Sequence, residues 1–189
     1  CALAMKHVDV WHDITQQNVS LALILEDDAI FVPFFKEKLT RMIHSAVNKG
    51  FLRLNGSCIE SKTNKQISND ERINQNAMIV MGTCLNIHSQ CFERDKLESI
   101  PMFSTHKSSS SRCSHAYLLT SCSAKSLIEQ IHSQPNNFLP LDHLLNHLVA
   151  LSPTLQSFWL DPPLVYQGNQ VIDLDHVQTF RIQTYKKKK

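Results

Sequence analysis

Long hydrophobic runs are missing from this chain of 189 residues. A helix that crosses a bilayer needs ~20 consecutive apolar residues, and the longest stretch here falls far short, so no membrane-spanning helix is expected. A basic excess is missing too. The formal charge of +2 comes from 19 Lys and Arg against 17 Asp and Glu, but Lys186 to Lys189 supply four of the positives, which leaves 15 against 17 in the body. A nucleic-acid binder would spread basic residues over one face, and this chain does not. The six cysteines (Cys1, Cys58, Cys84, Cys91, Cys113, Cys122) contain no C-x-x-C pair, which argues against a zinc ribbon or a thioredoxin-like motif. No internal repeat is evident. No secretory leader is visible either; the chain opens at Cys1, directly on a helical pattern, and reads as a fragment or a processed form.

What is present has the balance of a folded domain. Hydrophobic residues make up 42% and charged residues 19%, values typical of globular chains. The length suits one domain, taken as residues 1–182, with 183–189 as a solvated basic tail. Ala4, Val8 and Trp11 recur at helical spacing within Ala2–Ile14. Phe35, Leu39, Met42, Ile43 and Ala46 form a second stripe, stopped at Asn48-Lys49-Gly50. Ala124, Leu127, Ile128 and Ile131 form a third, with Ser123 as its expected cap. Leu141, Leu144, Leu145, Leu148 and Val149 form a fourth, ended by Ser152-Pro153. Strands are expected at Leu21–Leu25, Phe51–Leu54, Ala77–Met81, Ala116–Thr120, Ser157–Leu160 and Leu164–Gln167. Glu60–Asn76 and the serine-rich Phe103–Arg112 are expected to be surface loops. Strands alternating with helices predict an α/β sandwich around a mainly parallel sheet.

The most telling local feature is Glu26-Asp27-Asp28, which closes the apolar run Leu21–Leu25. The run is too short for a helix and predicts a buried strand. Three adjacent carboxylates at its end cannot be core. In open α/β sheets ligands bind outside the carboxyl ends of the strands, and clustered carboxylates repel one another unless a cation neutralises them. Oxygen ligands suit magnesium or manganese, which in turn hold phosphates. The trio is therefore a candidate metal and nucleotide-diphosphate site. The plain alternative is a solvated acidic turn before Pro33.

Several blocks in order resemble glycosyltransferase family 25, the bacterial lipooligosaccharide galactosyltransferases and eukaryotic procollagen galactosyltransferases. They are Leu3-Ala4-Met5-Lys6-His7 with Trp11; Leu23-Ile24-Leu25-Glu26-Asp27-Asp28-Ala29; Leu54-Asn55-Gly56-Ser57-Cys58; Arg112–Thr120 with Ala124-Lys125-Ser126-Leu127; and Leu139-Pro140-Leu141-Asp142-His143. The resemblance implies a GT-A-like fold, Rossmann-like and mixed, here expected to lack the first strand–helix unit. It implies transfer of a hexose, galactose or glucose, from a UDP-sugar to a hydroxyl on a glycan or protein, with inversion and with Mn2+ or Mg2+. Glu26 and Asp28 would then hold the metal. Asp27, Asn55, His115 and Tyr117 would contact the donor, and Asp142 would be the general base. Each has a plainer alternative: a turn for Asn55-Gly56, a packed ring for Tyr117, a helix cap for Asp142.

His143 and His147 share a helix face but lack further ligands for a zinc site. Asp173, Asp175 and His176 form another acid–histidine cluster. The competing function is a transferase-like binding module without chemistry; a metal-dependent phosphohydrolase is a third. Two sequons, Asn18-Val19-Ser20 and Asn55-Gly56-Ser57, are acceptors only in a secretory lumen. Location therefore stays open between an ER or Golgi lumen and the cytoplasm. In a lumen, Cys58–Cys113 is the first disulfide to expect.

Overall fold

The computed structural model describes residues 2–54, 58, 76–82, 102–104, 114–134 and 139–168. Helix α1 is Ala2–Gln16. It leads to strand β1, Ala22–Leu25, and, across a tight turn, to β2, Ala29–Phe31. Helix α2 is Phe35–Asn48. Strands β3 (Asn76–Val80), β4 (Met102–Ser104) and β5 (Ala116–Leu119) follow. Helices α3 (Ser121–Ser133) and α4 (Leu141–Leu151) precede β6 (Leu155–Asp161) and β7 (Val165–Gln167).

Five strands form one sheet in the order β1-β5-β3-β6-β4, and β2 pairs with β7 in a separate ribbon. The sheet is mixed. β1, β3 and β6 run one way, while β5 and β4 run the other. Alternating strands and helices predict parallel neighbours only when each strand docks beside its predecessor. Here β5 inserts between β1 and β3, so β3–β6 is the one parallel pair among the described strands.

Strand alternation divides the core into two. Ile24, Met78, Val80, Tyr117, Leu119, Leu155 and Trp159 face α1, α3 and α4. Ala77, Ile79, Met81, Ala116, Leu118, Phe158 and Leu160 face α2 and the β2–β7 ribbon. β3 and β5 are buried throughout. β1 departs from the expected buried strand: it is an edge strand among the described residues, and only its Ile24 is fully buried.

Local chemistry sets the helix ends. α1 stops in a Schellman turn: Asn18 N–H donates to the Thr15 carbonyl and Val19 N–H to the Ile14 carbonyl, with Asn18 at φ 51 and Val19 packed on the core that holds Ile14. α2 stops at Gly50, φ 74. The expected strand Phe51–Leu54 does not form. Phe51 and Leu52 instead return their N–H groups to the Ala46 carbonyl, and Leu52 is buried against the α2 core. The cap of α3 is Thr120, not Ser123. Thr120 Oγ1 accepts from Ser123 N–H, and the Ser123 hydroxyl turns inward to donate to the Ala77 carbonyl.

One disulfide joins Cys58 to Cys122 in the first turn of α3. This corrects the expected Cys58–Cys113 pairing: Cys113 lies outside the described residues, and it is α3 that presents its first turn to Cys58.

Candidate active site

β1, β3 and β6 all finish at one end of the sheet, and β5 starts there. The three acids sit at that end. Ala29 N–H donates to the Glu26 carbonyl at 3.2 Å, so Glu26-Asp27-Asp28-Ala29 is a β-turn that carries the chain from β1 into β2. Backbone bonds hold both ends of the turn. Glu26 N–H donates to the His115 carbonyl at 2.9 Å, which extends the β1–β5 ladder, and Gly168 N–H donates to the Asp28 carbonyl at 2.8 Å, which extends the β2–β7 ribbon.

The three carboxylates differ in setting. Glu26 is half-buried and accepts the Ser114 hydroxyl at 2.6 Å. Asp27 is exposed. Asp28 is half-buried, yet its Oδ1 is shut off from solvent with no hydrogen-bond partner. A buried, unsatisfied carboxylate oxygen is costly and signals a missing partner such as water or an ion. Its position is enforced by Gly168: a Cβ there would stand 2.9 Å from the Asp28 carbonyl oxygen and 3.4 Å from Asp28 Cβ. Only a residue without a side chain allows the ribbon to come this close.

His115 is fully buried beside the turn. Its Nε2 lies 3.3 Å from the Val165 carbonyl. A carbonyl only accepts, so the proton resides on Nε2 and leaves Nδ1 as an acceptor, which is buried and unpartnered. Burial lowers the pKa of His115; the Val165 carbonyl and the negative charges of Glu26 and Asp28 pull it back upward without reversing the shift. The ring rests on Gly82, where a Cβ would collide with it.

Of the two places the sequence allowed for Tyr117, the structure shows the packed one. It is 1% exposed. Trp11 Nε1 donates to its hydroxyl at 3.0 Å, and His7 Nδ1 lies 2.6 Å away. The indole can only donate, so the hydroxyl accepts from Trp11 and spends its own proton on His7. Burial holds the His7 pKa below its usual value, which keeps Nδ1 free to accept. The tyrosine is thus spent on tying β5 to α1.

Asp142 stands in the first turn of α4, whose N-cap is Pro140, and its Oδ1 accepts from His143 N–H at 2.9 Å. It is half-buried. His143 is exposed, whereas His147 bonds Gln134 at 2.8 Å, so the two histidines do not act as a pair. Asn55 and the cluster Asp173, Asp175 and His176 lie outside the described residues, as do the basic tail and most of both long loops.

The structure therefore brings together Glu26, Asp27, Asp28 and the buried His115, and packs Tyr117 against α1. It adds Ser114, Gly82 and Gly168. Two of these additions left a trace in the sequence: four glycines in 189 residues are few, and each of these two sits at the end of a strand, where a close backbone approach is the usual reason for glycine. Among the described residues, no group of three or more His, Cys, Asp or Glu is disposed to hold a metal ion.

A mixed α/β sheet with carboxylates gathered where its strands end is the build of a ligand-handling α/β enzyme. Comparison with protein families makes this specific: residues 1–145 match Glycosyltransferase family 25 (LPS biosynthesis protein). The match covers most of the chain and includes the acidic turn, His115 and Asp142. The chain belongs to this family and is a glycosyltransferase, which moves sugar from a donor to an acceptor. No curated protein matches it closely. No helix among the described residues is long and apolar enough to cross a membrane.

Proposed function

We propose that this glycosyltransferase moves a hexose, galactose or glucose, from a UDP-sugar to a hydroxyl group of a glycan or protein, with inversion, on a GT-A-like scaffold that uses a divalent cation. The observation that carries this reading is Asp28 Oδ1, a partnerless carboxylate oxygen in a turn held from both sides at the ends of three strands. Asp28 and the oxygen of Glu26 not taken by Ser114 are the groups that would hold Mn2+ or Mg2+. Their chemistry fits, since both ions prefer oxygen ligands. Two protein carboxylates also suffice, because magnesium-type ions usually keep waters and substrate phosphates in the other positions. When bound, the cation neutralises charge on the departing diphosphate. Asp27, exposed beside it, is assigned to the ribose or another part of the donor.

Asp142 is proposed as the base. The acceptor oxygen attacks the anomeric carbon, the bond from that carbon to the diphosphate breaks, UDP leaves, and the hydroxyl proton passes to the Asp142 carboxylate. The main-chain bond from His143 orients that carboxylate and leaves its other oxygen for the proton.

The competing possibility, an inert transferase-like module that keeps the fold without donor binding or chemistry, draws on the lack of a three-residue metal cluster among the described residues. Thermal melting separates the two. Ligands that bind only the folded state stabilise it, by about 2.7 kcal/mol at a hundredfold excess over Kd. UDP with Mn2+ together should raise Tm, and Asp28→Asn should cancel the rise. Asp142→Asn should keep the rise and lose sugar transfer by ~100-fold or more. No shift in the unaltered protein would favour the inert module, and full transfer by Asp142→Asn would remove that residue from the mechanism.

A further inference from the structure

We propose that Asn18 is an N-glycosylation site and that this transferase folds in an oxidising secretory compartment. Two independent observations meet here. The first is the Cys58–Cys122 disulfide, which links positions 64 apart in sequence. Such bonds form and persist in secreted and lumenal proteins and are rare in a reducing cytosol. The second is the setting of the sequon Asn18-Val19-Ser20. Asn18 and Ser20 are both exposed, while Val19 between them is turned into the core.

The turn explains why an exposed, chemically free carboxamide stands here. At the end of α1 the chain must adopt a left-handed residue, and Asn18 does so at φ 51. Its backbone N–H is used by Thr15, and its side chain makes no hydrogen bond among the described residues. Helix termination alone accounts for Asn or Gly at this position. It does not account for Ser20, whose hydroxyl has no partner among the described residues. A hydroxyl residue two positions after an exposed asparagine is what the glycosylation acceptor requires.

The reaction needs an oligosaccharide carried on a lipid diphosphate, supplied by the compartment. The Asn18 amide nitrogen bonds to the anomeric carbon, the bond from that carbon to the diphosphate breaks, the lipid diphosphate leaves, and the amide gives up one proton. The glycan would stand clear of the candidate active site. Asn18 precedes β1 and the acidic turn follows it, so the whole strand, ~13 Å at 3.3 Å per residue, separates them.

Expression of the full chain behind a secretory leader in a eukaryotic host tests the proposal. Peptide mapping should find a glycan on the tryptic fragment His7–Lys36, and enzymatic release in heavy-oxygen water should leave labelled aspartate at position 18. Ser20→Ala should abolish the modification. Asn18→Gly should abolish it too while keeping the left-handed turn, so its unchanged Tm controls for folding. In the same sample, non-reducing maps should show Cys58 joined to Cys122. An unmodified Asn18 in folded, secreted protein carrying that disulfide would overturn the proposal; so would free thiols at Cys58 and Cys122 in the folded protein.

Discussion

Three adjacent acids could be recognised in the chain because charge at the end of an apolar run has no place in a core. The groups that arrange them could not. Ser114 lies 88 positions from Glu26, and Gly168 meets Asp28 only because β7 pairs with β2. Such partners carry no local signature. Gly168 also yields a sharp expectation. In Gly168→Ala the new methyl must displace the Asp28 carbonyl oxygen or the ribbon itself. Overpacking of this kind costs about 1–3 kcal/mol. The variant should melt lower in a thermal scan, and its KM for the sugar donor should rise several-fold relative to an alanine substitution elsewhere in the described surface. Donor kinetics equal to those of the unaltered enzyme would show that the position of Asp28 does not matter. Tyr117 illustrates the opposite difficulty. Alternation placed it on one face with His115, but burial decides between lining a cleft and packing, and burial depends on where α1 lies.

At the level of elements, periodicity worked where one face of a helix meets a core. All four helical stripes became helices. The edges were less legible. Ser123 has the right chemistry for a cap, and so has Thr120 three residues earlier; the choice rests on Ala77, whose carbonyl takes the Ser123 hydroxyl. Phe51–Leu54 has the composition of a strand but pairs with no strand among the described residues, and it follows the end of α2 instead. The disulfide belongs to this scale as well, since it fastens the segment after α2 to α3. Cross-linking positions 64 apart restricts the unfolded chain by an amount worth up to about 4 kcal/mol on the chain-entropy account, with 2–4 typical. Cys122→Ser should lower unfolding free energy by about that much in urea titrations. A variant as stable as the parent would mean the bond is not formed in the folded protein.

For the whole molecule, the buried seam of His7, Trp11 and Tyr117 joins α1 to β5, an interior strand of the sheet. This makes overall stability depend on pH. His7 is held below its ordinary pKa of 6.5 by burial. As pH falls below 6.5, the unfolded chain takes up a proton that the folded chain resists. Stability is therefore full above that value and declines beneath it, by at most about 1.4 kcal/mol per pH unit, until His7 protonates in the folded state. Denaturant titrations at pH 7.5 and 5.5 should show the decline, and His7→Gln should reduce it, leaving the share of His115, whose pKa burial also lowers. A parent curve already flat over this range would separate His7 from the folding equilibrium.

By itself the sequence determined the helices, most strands, the α/β class and the acidic turn, because each follows from the period of apolar residues or from charge that cannot be buried. Only the tertiary structure decided the reversed β5 between β1 and β3, the Cys58–Cys122 partnership, the burial of Tyr117 and the glycine that seats Asp28. These depend on which surfaces touch, and contacts between residues tens of positions apart are set by how whole layers pack rather than by any short stretch of chain.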